Sequence, residues 1–104
     1  MSNRKIKFEK HLNTIDLKKD FGLSFKRHCP FCDNDYICIE SNINYIDKNF
    51  FVSAYAECGV CGARGPLNGE FTQKRNMEIE SNVIKKAVNS WNNGVYEKSG
   101  EFDN

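Results

Sequence analysis

The chain has no apolar run approaching the roughly 20 residues that a membrane-spanning helix needs, so no membrane partner is expected. It holds only two histidines, which leaves few side chains suited to general acid–base work near neutral pH. A glycine-rich phosphate loop and a nucleophile elbow are both missing. Glu78 and Glu80 come closest to a carboxylate pair, but they stand at a helix start, where the macrodipole favours acids without any catalytic role. The expectation is therefore a protein that is not an enzyme and takes no small-molecule substrate. The first ten residues are polar and charged, with no apolar segment of the kind a secretory signal carries. A cytoplasmic location with reduced thiols is expected on that ground. Internal repeats are missing too, apart from one doubled motif.

That motif is a pair of cysteine hooks, Cys29-Pro30-Phe31-Cys32 and Cys58-Gly59-Val60-Cys61, separated by 25 residues. Two Cys-x-x-Cys turns supply four thiolates, the ligand set of a closed, structural, tetrahedral zinc site. Pro30 pre-sets φ for the first turn, and Gly59 and Gly62 offer positions where the backbone can turn left-handed. Asp33 occupies the place in the first hook that Gly62 occupies in the second, and aspartate is among the few other residues that tolerate that conformation. One Zn2+ per chain, held by Cys29, Cys32, Cys58 and Cys61, is the expectation. Iron and iron–sulfur centres use the same ligands and stay open at this point. A redox pair of the thioredoxin kind fits less well, since that motif occurs once and in a βαβ context. Of the remaining candidates, His28 is the one substitute ligand by position, His11 reads as a solvated surface residue, and Cys38, mid-strand among isoleucines, reads as a buried thiol outside the zinc shell.

With 104 residues there is room for one small domain, divided as a basic N-terminal extension over 1–27, a zinc domain over 28–94 and a flexible tail over 95–104. The first and last stretches read as poorly able to join a core, which leaves the metal to hold the fold. Net charge is +1, but residues 1–28 carry eight basic against three acidic side chains, a local +5, while the remainder carries −4. Within the first stretch, Ile6 and Phe8 alternate with charged residues as a weak strand signal. Residues 14–21, closed by Gly22, read as a short helix, with Phe21, Leu23 and Phe25 packing on the domain. Residues 36–46 and 50–57 read as a β-hairpin across the turn Asp47-Lys48-Asn49, with 46 opposite 50 and Cys38 opposite Cys58. Ala63-Arg64-Gly65-Pro66 then leads into a polar linker. Ile79, Val83, Ile84, Ala87, Val88 and Trp91 recur at spacings of three and four, the buried face of an amphipathic helix that Gly94 ends. Trp91 is expected to cover hook and hairpin while its N–H finds a carbonyl or water. The fold class is thus a small α+β zinc ribbon: two knuckles joined by a hairpin, with a C-terminal helix.

Three segments together resemble a known family. His28-Cys29-Pro30-Phe31-Cys32, then Glu57-Cys58-Gly59-Val60-Cys61-Gly62-Ala63-Arg64-Gly65-Pro66, and finally Ala87-Val88-Asn89-Ser90-Trp91-Asn92 look like the Lar-type restriction alleviation proteins of phages and prophages. The resemblance covers about residues 28–93. Asp33 stands where that family has glycine, and residues 1–27 precede its usual start. The resemblance implies a phage-type zinc protein that modulates a host type I restriction–modification system by binding a host protein, in the host cytoplasm. Arg64 is the leading contact candidate, since arginine is over-represented at interface hot spots. The alternative is a nucleic-acid-binding or transcription-related zinc ribbon that uses Arg4, Lys5, Lys7, Arg64, Lys74 and Arg75 on phosphate.

Overall fold

Ile37, Ile39 and Ile43 fall on one side of a pleated strand, and the strand that pairs with theirs places Cys58, Ala56 and Val52 directly opposite them. This shared apolar face is the floor of the core. The computed structural model describes residues 7–74 and 76–95. In chain order the elements are β1 (Lys7–Leu12), α1 (Thr14–Phe21), β2 (Ile37–Ile46), β3 (Asn49–Cys58), β4 (Asn68–Thr72) and α2 (Met77–Asn92). The strands form one antiparallel sheet in the order β1-β2-β3-β4. The fold is α+β, with two helices and four strands among the described residues. None of the described helices is long and apolar enough to cross a membrane.

The hairpin forms where the sequence indicates, but in a different register. Ile46 pairs with Asn49 and Cys38 with Glu57, so Cys58 faces Ile37. The turn is only two residues long. Asp47 at φ 51° and Lys48 at φ 69° are both left-handed, as a type I′ turn requires, and this turn matches the twist of the flanking strands better than a three-residue loop. Because side chains alternate, the one-residue difference puts Cys38 and Cys58 on opposite faces of the sheet.

Helix α2 lies mainly across β3, where the small side chains of Ala54 and Ala56 let it approach. Val83, Ile84, Ala87, Val88 and Trp91 are all buried, and the larger ones each contribute on the order of 2 kcal/mol through burial. Asn76 caps the helix start by accepting the N–H groups of Glu78 and Ile79. At the other end Gly94, at φ 84°, closes a Schellman turn: its N–H donates to the Trp91 carbonyl and the Val95 N–H to that of Ser90.

Residues 7–25 do not stand apart as an extension. β1 adds a strand to the sheet, and Leu12 and Leu17 are in the core with the helix face of α2. An Asn13–Asp16 capping box starts α1, and Gly22 ends it in the left-handed conformation. The polar linker after Pro66 is likewise an edge strand, β4. Gly69 is what permits the pairing there, since a Cβ would sit 2.5 Å from the Phe51 ring, and Phe71 packs on that same ring at 4.8 Å. Both helices cover the same face, where Phe21 of α1 approaches Ile84 of α2 beside Ile43. The opposite face carries no helix among the described residues. Residues 96–104, the larger part of the expected tail, lie outside them, as do Arg4, Lys5 and Arg75.

Candidate metal centre

The two hooks meet at one end of the sheet. Cys29 and Cys32 lie in the loop before β2, whereas Cys58 is the last residue of β3 and Cys61 follows in the next turn. Each hook is built alike: the Asp33 N–H donates to the Cys29 carbonyl at 2.8 Å and the Gly62 N–H to that of Cys58 at 3.1 Å. Both donors are left-handed, Asp33 at φ 61° and Gly62 at φ 81°, so the aspartate does adopt the conformation its glycine counterpart needs. Gly59 is not left-handed. Its smallness serves a close approach instead, because a Cβ there would meet the Tyr36 ring at 2.6 Å, and its N–H donates to the Tyr36 carbonyl at 2.8 Å. That bond ties the second hook to the segment leaving the first.

The sulfurs pair across the hooks, Cys29 Sγ to Cys61 Sγ at 3.5 Å and Cys32 Sγ to Cys58 Sγ at 3.5 Å. A tetrahedral ion with metal–sulfur bonds of about 2.3 Å spaces its ligand atoms roughly 3.8 Å apart. The four thiols therefore fit a four-thiolate metal ion with small adjustments. Cys29 and Cys58 are buried, Cys32 and Cys61 exposed, so the cluster sits at the rim of the core. His28 takes no part: it is mostly exposed, and its Nδ1 lies 3.5 Å from Asp33 Oδ1.

The surroundings of the thiols explain why the cluster suits a cation. Burial pushes the Cys58 thiol up, but the N–H groups of Cys61 and Val60, and then the neighbouring thiols of Cys32 and Cys61, bring it down to about 7. At Cys32 the Asn34 N–H acts to lower the value, yet desolvation and the three sulfurs around it push it up to about 12. Cys29 is also raised, by burial first, against the lowering effect of the Cys32 and Phe31 N–H groups. The packing thus sets the thiols against one another, with Cys58 favouring the thiolate and Cys29 and Cys32 disfavouring it. A divalent ion removes that conflict by holding thiolates rather than thiols.

Trp91 and Asn92 anchor the first hook to the helix. Trp91 is fully buried, packs edge-on against Phe25 at 6.3 Å, and its Nε1–H donates to the Arg27 carbonyl at 3.0 Å. The Asn92 side chain accepts the Lys26 N–H at 2.7 Å and donates to the Ser24 carbonyl at 3.0 Å. Arg27 Nε in turn donates to the Asn92 carbonyl at 2.8 Å. Residues 24–27, which lead into Cys29, are thus held along their backbone by the end of α2.

The contact candidates are not gathered in one place. Arg64 pairs with Glu57, Nε to Oε2 at 3.1 Å, and lies 5.0 Å over the Tyr55 ring on the helix-free face. Lys74 follows β4 in a turn closed by Thr72 Oγ1, and Thr72 pairs with Phe50 near the far end of β3. The seven steps along the strand from residue 50 to residue 57 span roughly 24 Å. Lys7 begins β1, at the other edge of the sheet.

The structure also assembles a group that sequence reading missed. His11, Cys38 and Glu40 bring ligand atoms within 4.8 Å of one another. His11 is not simply solvated: its Nδ1 is bonded to Glu40 Oε2. Cys38 is buried as expected and lies outside the four-thiolate cluster. Desolvation, and then the charges of Glu40 and Glu57, push its thiol up to about 12. The only signal in the sequence is the Cys-x-Glu spacing, which places two side chains on one face of a strand.

Comparison with known proteins finds no matching family model, no matching curated relative and no matching solved structure.

Proposed function

We propose that this chain is a zinc-ribbon protein of the restriction alleviation type, without enzymatic activity of its own, that acts in a host cytoplasm by binding a host protein such as a type I restriction–modification subunit. The observation that carries the reading is the co-occurrence, in order, of three motifs that share one small region: the first hook, the second hook with its Gly62-Ala63-Arg64-Gly65-Pro66 extension, and Trp91-Asn92. Zinc is the ion proposed for the four thiolates. Four thiolates close a tetrahedral shell and leave no position for a substrate, so the metal's part is to hold the hooks together. Arg64 is presented beside the second hook, stacked on Tyr55 and partly exposed, and serves as the proposed anchor.

A nucleic-acid role has less support, because the cationic candidates in the described part lie at separate edges and ends of the sheet. Phage carrying unmodified DNA, plated on a host with an active type I system, should form more plaques when this gene is expressed. Equal plating across hosts with different type I systems would overturn the reading. DNA binding that weakens steeply with salt would then favour the nucleic-acid alternative.

A further inference from the structure

We propose that His11, Cys38 and Glu40 form a second metal site, on the helix-free face of the sheet, that takes a divalent transition ion such as Zn2+ or Co2+. Strand geometry builds it. Cys38 and Glu40 are two residues apart on β2 and share a face, and His11 lies directly opposite Glu40 in the β1–β2 ladder. One ligand comes from along the strand and one from across it, so the site rests on paired backbone rather than on a loop.

The distances are close to what an ion needs. Cys38 Sγ is 3.8 Å from Glu40 Oε2, the same oxygen that His11 Nδ1 contacts, and ligand atoms from all three residues fall within 4.8 Å. Tetrahedral bonds of 2.0 to 2.3 Å call for ligand atoms roughly 3.3 to 3.8 Å apart. The mostly exposed His11 and the partly exposed Glu40 can make that adjustment by rotating, while buried Cys38 stays fixed. On binding, the Cys38 thiol gives its proton to solvent, and the contact from Sγ to the Glu57 carbonyl, 3.4 Å long, is replaced by the metal bond.

The donor set chooses the ion. One sulfur, one imidazole nitrogen and one carboxylate suit zinc or cobalt and are poor for magnesium or calcium, which require mostly oxygen ligands. Three protein ligands also leave a fourth position for water or a small anion, unlike the closed four-thiolate cluster. The two sites share no ligand, because Cys58 faces the helices through its pairing with Ile37 whereas Cys38 points the other way. With fewer thiolates, the second site fills after the first.

Titration of the reduced, metal-free full chain with Co2+, followed by absorption and by metal count in native mass spectrometry, tests this. The first equivalent should show the charge-transfer band of a four-thiolate site, and the second should add a band of about a quarter of that intensity, from one thiolate. His11→Ala and Glu40→Gln should each weaken the second equivalent at least tenfold and leave the first unchanged. The first band reports an intact fold in every variant, so loss of the second cannot be attributed to unfolding. Saturation at one ion per chain in the parent, or a second equivalent that both variants bind as the parent does, overturns the proposal.

Discussion

Replacing Trp91 by alanine tests whether the end of α2 holds the first hook in place. The ring has no solvent exposure, and truncating a buried large aromatic typically destabilises by about 3 to 5 kcal/mol. The edge-on contact with Phe25 accounts for about 1 kcal/mol of such a loss. The hydrogen bond to the Arg27 carbonyl contributes about another 1 kcal/mol, with water able to replace it once the site opens. Together these place Trp91→Ala near 4 to 5 kcal/mol. Trp91→Phe keeps most of the ring and should fall near 1 to 2 kcal/mol. Urea unfolding of the zinc-loaded chain, followed by far-UV circular dichroism because the sole tryptophan is removed, gives both values. Metal release to a chelator should quicken in the same order, since the residues bound by Trp91 lead directly into Cys29. A Trp91→Ala variant within about 1 kcal/mol of the parent, with parental metal release, would refute the reasoning.

Cys58→Ser should abolish tight zinc binding at the hooks and unfold the domain, whereas Cys38→Ser should leave the first equivalent of metal in place, as equilibrium dialysis with one equivalent of zinc would show. Asp33→Gly should raise stability by roughly 0.5 to 1 kcal/mol, because the position is left-handed and the exposed contact to His28 it gives up is worth little; a drop in urea midpoint would count against this. Gly59→Ala should destabilise by about 1 kcal/mol through its clash with the half-exposed Tyr36 ring, and the Tyr36→Ala background should relieve most of that loss in a double-mutant cycle. Asn92→Ala removes two hydrogen bonds to residues 24–26, a change of about 1 to 2 kcal/mol in the same unfolding assay.

The four-cysteine cluster was legible because ligand spacing is written locally in each hook, and so was α2, whose apolar period runs over more than three turns. The hairpin was legible but not its register. Nothing in Asp47-Lys48-Asn49 marks Lys48 as left-handed, and a two-residue turn differs from a three-residue one only through that torsion. β1 gave a weak alternation because its edge position leaves charged residues on it, and β4 gave almost none, since Asn68-Gly69-Glu70-Phe71-Thr72 has little β pattern of its own and becomes a strand by pairing with residues 50–54 of β3. The same limit hid His11. Its partner lies 29 residues away and is set by β1–β2 pairing, a tertiary fact that no spacing in the sequence encodes. The roles of Trp91 and Asn92 were half visible: burial followed from the helical period, but the segment they hold did not.

The central claim is that four thiolates from two hooks hold one zinc ion. X-ray absorption at the zinc edge, on the full chain loaded with a single equivalent of zinc, measures this directly. Four sulfurs at about 2.3 Å are expected around the zinc. A shell with fewer than four sulfurs, or with nitrogen or oxygen neighbours in their place, would contradict it.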